Sequence, residues 1–329
     1  MVEFMMEKNI DEITESTNDN MVDYVFPYVN SNDEVWMESY IKHFSLLNKN
    51  KDEVSSGIVR YKDYGFLDTK IESIYLNMPW INNIFILISN EKQLSEDFHK
   101  KYPNIKIIYH NEFIPEEFLP TFNSNTIEMF LGNIPGLSEK FIYSNDDIIV
   151  TNKVHYTDCF NENLPIVELN KRFKKRKRLE VCNIANGYIY NALLLTKNEK
   201  YTGFVEDEKY MLSFNHADKP LLKSICNEVL TKFKNEIENS ITQFRDYKNF
   251  NVYLFLFYMT FNEKCVHGNL SYEMINYVDI TSLYILKSSK YKNISIDFLK
   301  DIDEEEIEKI KKWLKRWISN KHIKYNCEM

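Results

Sequence analysis

Short apolar runs alternate with amphipathic segments along the first half of the chain. Four runs have the length and the β-branched or aromatic content of buried strands: 21–29, 81–89, 104–110 and 140–150. Three segments between them follow a helical period: 33–50, 66–78 and 124–134. Because strands that alternate with helices build parallel βαβ units, the pattern predicts an α/β domain with a doubly wound, mostly parallel sheet.

Individual side chains indicate the start of one of these helices, the end of another and the apolar face of a third. Ser124 has the residue type and the place of an N-cap. Pro79 ends the second helix, because proline disfavours helical geometry at the residue before it. The first helix is predicted to bury a face formed by Trp36, Tyr40, Phe44 and Leu47.

The second half of the chain is less regular. Residues 185–195 are apolar enough for a helix or a strand, 220–237 predicts an amphipathic helix, and 249–261 predicts a buried one. Residues 303–318 predict a helix with acidic residues in its first turns and basic residues later, which is the order that the helix dipole favours. We expect four parts: a loosely ordered N-terminus (1–20), an α/β core (21–150), a variable basic insertion (151–210) and a largely helical remainder (211–329).

Composition and charge narrow the class of protein. The chain has 329 residues, 44% of them apolar, and a net charge of -8, so it lacks the domain-wide basic excess of a nucleic-acid binder. The acidic start lacks a signal-peptide pattern, and no apolar run reaches the length of a bilayer. We expect a cytoplasmic protein that at most contacts the inner face of the cell membrane. The cysteines are scattered and odd in number, which favours a reducing compartment: Cys159, Cys182, Cys226, Cys265 and Cys327.

Polar residues follow the predicted strands at the points where parallel sheets bind ligands. These positions are Asn30 to Asp33, Asn90, His110, and Asn145 to Asp147. Since the carboxyl ends of parallel strands share one edge of the sheet, the pattern predicts that these side chains converge on a ligand site.

Asn145-Asp146-Asp147 is the strongest local motif. Two adjacent acids after an apolar strand are costly unless cations or hydrogen-bond donors meet them. Magnesium suits such carboxylates, because it takes hard oxygen ligands and leaves coordination positions for phosphate oxygens. Taken alone, the tripeptide fits a polar turn with an Asx cap equally well.

Two further motifs are weaker. LPTFNSNTIE (119–128) leads a loop into a helix, where backbone N–H groups can meet an anion, although an ordinary capped helix explains it better. VFPYVNSND (25–33) runs a strand into Asn and Asp side chains that suit a ribose or a base. A plain turn is the simpler explanation of that second motif.

Together these motifs resemble the Stealth family. DYVFPYVNSNDEVW resembles its first signature region, and RYKDYGFLDTKIESIYLNMPWINNIFILISNEKQ (60–93) resembles the start of its second. LPTFNSNTIEMFLGNIPGLSEKFIYSNDDIIV (119–150) resembles the rest of that second region over a long, ordered stretch. NHADKP and QFRDYKNFNVYLFLFY resemble the third region and give His216 and Arg245.

The chain departs from the family pattern at several places, and two of these departures bear on the donor. Asp68 and Glu72 stand where the family often has basic residues, which puts basic contacts from this helix to the donor in doubt. The fourth region is only weakly recognisable, within residues 284–298, and its usual Asn-Asp pair is missing. The sugar and the nucleotide are therefore the least defined part of what the resemblance implies.

The resemblance implies a GT-A-like, Rossmann-type core that binds a nucleotide sugar, with a largely helical insertion and C-terminal part. It also implies a sugar-1-phosphate transferase. Such an enzyme moves hexose-1-phosphate, here HexNAc-1-phosphate, from a donor such as UDP-GlcNAc to a sugar hydroxyl of a capsular or cell-surface polysaccharide. It releases a nucleoside monophosphate and uses Mg²⁺ or Mn²⁺.

Roles for individual residues follow from the same resemblance. His216 is expected to take the proton from the acceptor hydroxyl, with His110 the second candidate, and Arg245 to clamp the transferred phosphoryl group. Asp147 and Asp146 are expected to hold the metal ion. The donor pocket is expected to include Asp23, Asn30, Asp33, Asn123, Ser124, Asn145 and Asp146.

Two other functions fit the same residues. A GT-A glycosyltransferase would transfer the sugar itself, and a non-catalytic carbohydrate-binding relative would keep only the fold. The basic run KRFKKRKR (171–178) fits a solvated loop and a patch for a phosphate-bearing polymer or an anionic membrane surface about equally. The expected partners are a nucleotide-sugar donor, an oligo- or polysaccharide acceptor and a peripheral membrane contact through 171–178, and no nucleic acid.

Overall fold

The computed structural model describes residues 21–47, 57–173, 184–197, 210–268, 272–275, 292–296 and 303–325. The α-helices in these ranges are α1 Glu34–Ser45, α2 Leu67–Asn77, α3 Phe98–Lys101, α4 Ser124–Met129, α5 Tyr156–Cys159, α6 Ile184–Thr196, α7 Lys223–Lys232, α8 Lys234–Ser240, α9 Tyr253–Phe261 and α10 Glu304–Tyr325. The strands are β1 Val22–Pro27, β2 Ile84–Ile88, β3 Lys106–Tyr109, β4 Lys140–Tyr143, β5 Ile148–Val150, β6 Phe160–Asn161, β7 Leu164–Val167, β8 Leu169–Phe173, β9 Tyr210–Phe214, β10 Lys219–Leu222, β11 Val266–His267, β12 Tyr272–Ile275 and β13 Asn293–Ile296.

A five-stranded central sheet organises the fold, in the order β10-β4-β1-β2-β3. The strands β4, β1, β2 and β3 are parallel, and β10 is antiparallel to β4. The predicted α/β class with a mostly parallel sheet is thereby confirmed. The strands read as nearly continuous apolar runs because helices cover both faces of the sheet, as is usual for parallel sheets.

Each face of the sheet has its own hydrophobic core. Successive residues of β1 point to opposite faces, so Val25 joins one cluster while Tyr24 and Phe26 join the other. Helices α6, α7 and α9 contribute to the first cluster, and α2 contributes Ile71 and Ile74 to the second. The buried helix predicted at 249–261 is present as α9, which begins at Tyr253, and 185–195 falls within helix α6.

The segment KFIYSNDDIIV is not one interrupted strand but two strands in two different sheets. β4 lies in the central sheet, whereas β5 pairs antiparallel with β13, which in turn pairs with β12. Ile310 and Leu314 of α10 pack against Ile149 and Ile294 of this second sheet. The four polar residues 144–147 therefore form the bend at which the chain leaves one sheet for the other.

The prediction of a helix over 220–237 is wrong at its start. Pro220 lies in β10, which pairs with β4 at the edge of the central sheet, where a residue without an N–H is tolerated. The helical part begins at Lys223 and divides at Phe233 into α7 and α8. The C-terminal part of the chain thus supplies a strand to the same sheet that residues 21–150 build.

The N-cap of α4 is Asn123 rather than the predicted Ser124. The Asn123 side chain accepts a hydrogen bond from the backbone N–H of Asn125, and Ser124 is the first residue of the helix. Asparagine and serine are about equally good caps, so sequence preference alone does not choose between neighbouring candidates.

An aromatic cluster connects the amino-terminal and carboxyl-terminal parts of the chain. Trp36 and Tyr40 of α1 are buried as predicted, and they pack on Tyr61, Phe122 and Phe244. Phe122 and Phe244 stack with their ring centroids 5.0 Å apart. This contact fixes the loop before α4 against the loop that follows α8.

None of the helices in the described ranges combines the length and apolar character needed to cross a membrane. The predicted basic run begins inside β8, which pairs with β9. Residues 174–178 of that run lie outside the described residues, so the proposed membrane or polymer contact stays a prediction.

Candidate functional site

The bend between β4 and β5 brings Asp147 against His216. His216 lies between β9 and β10, and the pairing of Lys219 with Tyr143 places that connection beside the end of β4. The Nε2 atom of His216 is 3.2 Å from Oδ2 of Asp147. Two residues that the sequence places 69 positions apart are therefore neighbours because an antiparallel strand was added at the sheet edge.

Asp147 uses its two carboxylate oxygens differently. Oδ2 faces His216 and also accepts a hydrogen bond of 2.7 Å from the Ser295 hydroxyl of β13. Oδ1 is buried and has no hydrogen-bond partner in the described part of the chain. A buried carboxylate oxygen without a partner is costly, so Oδ1 is a candidate ligand atom for a cation or a donor group.

The two neighbouring acids have opposite shifts of pKa. Burial by itself would raise the pKa of Asp147, but His216 and the Ser295 hydroxyl outweigh it and lower the value to about 2. Asp146 is exposed at its surface yet densely surrounded by protein, and loss of hydration together with the charge of Asp147 raises its pKa to about 6.

Lys70 lies directly beneath this bend, and the sequence motifs did not identify it. Its side chain is 1% exposed, and its ammonium group donates to Ser144 Oγ at 3.0 Å, to the carbonyl of Asn145 at 2.9 Å and to the carbonyl of Ile148 at 2.6 Å. Burial lowers the pKa of Lys70 to about 8, although the surrounding acids, among them Asp147, favour the charged form. The ammonium group ties both sides of the bend to helix α2.

The position of Lys70 clarifies the departure noted at Asp68 and Glu72. The Asp68 carboxylate accepts from Lys101 and from the Tyr102 hydroxyl, at 2.5 and 2.9 Å, so it ties α2 to α3 at the surface. A basic residue of α2 does reach the acidic bend, but it comes from the buried face of the helix. The detectable sequence feature is a lysine among the apolar positions that α2 turns to the core.

Arg245 forms the second half of the site. Its Nη2 donates a hydrogen bond of 2.9 Å to the hydroxyl of Ser124, so these two predicted residues are brought together. Arg245 is also among the charges that lower the pKa of Asp146, so its guanidinium group lies close enough to the bend to act on that carboxylate. The guanidinium group and the acidic pair thus belong to one site.

Several predicted donor-binding residues are already bonded within the protein. Asp33 caps α1, and its other carboxylate oxygen accepts from Asn90 at 2.8 Å and from Gln93 at 2.6 Å. Asn123 is 1% exposed and donates to the carbonyl of Thr242 at 2.9 Å. These side chains shape the loops of the site, and their own polar groups are occupied.

Asn30 and Asn145 lie at the predicted edge of the sheet. The backbone N–H of Asn30 donates to Gln93 at 2.7 Å, and the Asn30 side chain accepts from the N–H of Asn32, which fixes the loop after β1. Asn145 contributes its carbonyl to Lys70. Both side chains are partly exposed, so both stay predicted contacts to a donor.

Asp23 lies at the opposite edge of the sheet, and the expectation that it joins the donor pocket is wrong on geometry. It is the second residue of β1, where it accepts hydrogen bonds from Asn82, Asn83 and the N–H of Ser138, which precede the neighbouring strands. A parallel strand places its first and last residues at opposite edges. Asp23 therefore connects the amino ends of three strands.

His110 is separated from the acidic bend by three strand spacings, about 14 Å across the sheet. Its side chain is 8% exposed, and burial lowers the pKa of its imidazole to about 4. An imidazole that is buried and remote from Asp147 is a poor candidate base. His216 is the histidine that the structure places in the site.

The acidic pair fits a divalent cation with an incomplete protein shell. The described ranges hold no group of three or more His, Cys, Asp or Glu side chains arranged to bind a metal. Mg²⁺ usually takes only one or two carboxylates and completes its octahedron with water and substrate phosphate oxygens. Asp146 and the unpartnered Oδ1 of Asp147 supply such a set, with the remaining positions left to a ligand.

Sequence comparison identifies relatives of this chain. Residues 60–167 match the family model described as Stealth protein CR2, conserved region 2. The "Capsular polysaccharide phosphotransferase fcs1" of Haemophilus influenzae is 32% identical over 238 residues, which are 71% of this chain and 63% of that relative. A "Capsular polysaccharide phosphotransferase" of Actinobacillus suis is 35% identical over 144 residues, 43% of this chain and 38% of the relative. The chain therefore spans less than two thirds of the length of either protein.

Other relatives are matched over a greater share of their length. The "Receptor polysaccharide phosphotransferase WefC" of Streptococcus oralis is 25% identical over 316 residues, which are 87% of this chain and 93% of that one. Among solved structures, galactosyltransferase LgtC in complex with donor and acceptor sugar analogs has a TM-score of 0.42 and 12% identity, covering 89% of this chain and 95% of its own.

Removing the Lys70 ammonium is expected to destabilise the bend. Lys70→Met leaves three buried acceptors without their donor, so the free energy of unfolding should fall by about 1–3 kcal/mol or more. Lys101→Met is the matched control, because its partner Asp68 is exposed and such a pair contributes at most about 1 kcal/mol. Urea unfolding at pH 7 measures both. Equal losses in the two variants would contradict the role given to Lys70.

The two acids are expected to affect stability with opposite signs. Asp146 has a raised pKa in the folded state, so its charge destabilises the fold above about pH 6 and Asp146→Asn should raise the melting temperature at pH 8. That gain should shrink as the pH falls through 6 towards 4. Asp147 has a lowered pKa, so Asp147→Asn should lower the melting temperature at pH 8.

Thermal unfolding in EDTA, at pH 8 and pH 4.5, tests this pair of predictions without metal. A loss of stability in both variants at pH 8 would show that the acids do not differ as the geometry indicates.

Proposed function

This chain belongs to the Stealth family, and on that premise we propose that it transfers hexose-1-phosphate from a nucleotide sugar to a hydroxyl of a polysaccharide. The transferred unit is HexNAc-1-phosphate, the product is a phosphodiester in a capsular or other cell-surface polysaccharide, and a nucleoside monophosphate is released. The observation that carries the proposal is the contact of His216 with Asp147, next to a second acid that the charge of Arg245 reaches.

The names of the relatives support transfer of a phosphate-bearing unit in polysaccharide synthesis. Relatives from Haemophilus influenzae and Streptococcus oralis are named polysaccharide phosphotransferases. These names agree with a site in which two acids could hold the metal ion of a donor diphosphate, beside a guanidinium group and a base. Phosphoryl transfer asks a protein chiefly for positioning and for neutralisation of charge, and these groups supply both.

His216 is the proposed general base. With Nε2 turned to Asp147, its Nδ1 is the atom available to take the proton of the acceptor hydroxyl. The acceptor oxygen then forms its bond to the phosphorus bound to the hexose, and the bond from that phosphorus to the nucleoside monophosphate breaks. Asp147 holds the imidazole ring in place and stabilises the positive charge that the ring gains.

Arg245 is the proposed clamp for the transferred phosphoryl group. A planar guanidinium group can donate two parallel hydrogen bonds to phosphoryl oxygens, and Ser124 fixes its orientation. A divalent cation held by Asp146 and Oδ1 of Asp147 would neutralise charge on the donor diphosphate. The raised pKa of Asp146 is consistent with a carboxylate whose charged form would be stabilised by a bound cation.

The product distinguishes this proposal from its alternatives. The enzyme should release UMP from a UDP-linked sugar, or GMP from a GDP-linked sugar, when Mg²⁺ and a polysaccharide acceptor are present. Release of UDP with a glycosidic product would identify a glycosyltransferase instead. If every donor stayed intact in the presence of acceptor and metal, a non-catalytic carbohydrate-binding role would replace both. EDTA should abolish release, and Mg²⁺ or Mn²⁺ should restore it.

His216 and His110 can be separated by substitution. His216→Ala should lower kcat by about 100-fold or more, because it removes a general base, while donor binding by calorimetry stays within a few-fold of wild type. His110→Gln should keep kcat within about twofold, since His110 lies three strands away. Retained turnover in His216→Ala, or a comparable loss in His110→Gln, would show that the base is assigned to the wrong histidine.

A further inference from the structure

Helix α6, which lies within the predicted insertion, docks on the loop that carries Arg245. The Asn191 side chain of α6 donates to the carbonyl of Tyr247 at 2.8 Å. A Cβ atom added to Gly187 would lie 2.8 Å from that same carbonyl oxygen, so only glycine allows this close approach. The docking determines where the next residue, Tyr188, is held.

Tyr188 and Asn125 each bring an unpaired donor hydrogen to the neighbourhood of Arg245. Tyr188 is 6% exposed and Asn125 is 4% exposed. Within the described ranges the Tyr188 hydroxyl and the Asn125 amide nitrogen have no partner other than the contact between the two groups. That contact uses one N–H of the amide, which leaves the second amide N–H and the Tyr188 O–H unpaired. Burial raises the pKa of Tyr188 to about 12, while the charge of Arg245 and the hydrogen bond from the Asn125 amide act in the opposite direction, so all three groups lie close together.

These groups have an excess of hydrogen-bond donors over acceptors. Arg245 is a cation with five N–H groups, and its hydrogen bond to Ser124 employs one of them. The neighbouring carboxylate of Glu128 is already engaged by the Tyr143 hydroxyl and the N–H of Val252. A buried donor left unpaired costs about 1–3 kcal/mol, so two of them beside a guanidinium group indicate a bound oxyanion.

We propose that Asn125 and Tyr188 join Arg245 as hydrogen-bond donors to the non-bridging oxygens of the transferred phosphoryl group. The inference rests on the proposed function, because it names the group of the donor that this part of the site binds. No covalent step is added: the amide and the hydroxyl donate hydrogen bonds as charge develops on the phosphoryl oxygens. The insertion thereby supplies a residue to the active site through α6.

Conservative variants test each donor. Tyr188→Phe removes only the hydroxyl, and it should lower kcat by about 10- to 100-fold, the effect of one hydrogen bond to a charged group, with the KM for the donor within about twofold. Asn125→Asp keeps the shape but places a negative charge beside the anion. It should weaken binding of inorganic phosphate at least tenfold, while binding of free N-acetylglucosamine is unchanged. Tyr247→Phe is the matched control on the Arg245 loop, because its side chain is 62% exposed, and it should behave as wild type.

The outcomes separate this inference from the proposed function. Wild-type kcat and wild-type phosphate affinity in Tyr188→Phe would overturn the inference while leaving the transferase intact. A raised KM with unchanged kcat would also overturn it, since the pair would then bind the sugar rather than the phosphoryl group. If wild-type protein released no nucleoside monophosphate from any donor, the proposed function would fail, and the phosphate titration would still test the anion site. Thermal unfolding shows which variants are folded, and each substitution is assayed as a single variant so that either one alone tests the inference.

Discussion

The buried ammonium group of Lys70 is the interaction on which the candidate site depends. The chain leaves the central sheet at Tyr143 and enters the second sheet at Ile148, and the bend between them must turn two carboxylates outward. Lys70 holds both sides of that bend by bonding the carbonyls of Asn145 and Ile148. It also adds a positive charge below the acids, which reduces the repulsion between Asp146 and Asp147.

The acids gain different properties from different partners. Asp147 is ionised and oriented because His216 and Ser295 bond to one of its oxygens. Asp146 has no such partner among the residues that the structure describes, and its charge is unfavourable in the free protein. The charge of Asp147 is therefore stabilised by its partners, whereas the charge of Asp146 still lacks a cation. Leaving one carboxylate without a cation lowers the stability of the fold, and such a loss is common at sites that bind a ligand.

The site is assembled from segments that are far apart along the chain. The bend comes from the strongly patterned first half, while His216, Arg245 and Ser295 come from three separate regions of the second half. Ser295 lies in the only weakly recognisable fourth region, yet β13 places its hydroxyl on Asp147. The C-terminal strands and the helix of the insertion are thus parts of the same catalytic arrangement that we propose for the N-terminal core.

Sequence patterning determined the parallel sheet and the edge at which its polar residues meet, because apolar periodicity and chain direction are local properties. The residue types of the motif at 145–147 also pointed to Asp147, whereas His216 and Arg245 were predicted from the resemblance to the Stealth family. Tertiary structure decided what those patterns leave open. Pro220 joined a strand because an edge position was available beside β4, and Asp23 lay at the far edge because of the direction of β1. Lys70 and Ser295 became part of the site because strand pairing and helix packing brought them to the bend, and no local pattern encodes contacts between residues 75 or 148 positions apart.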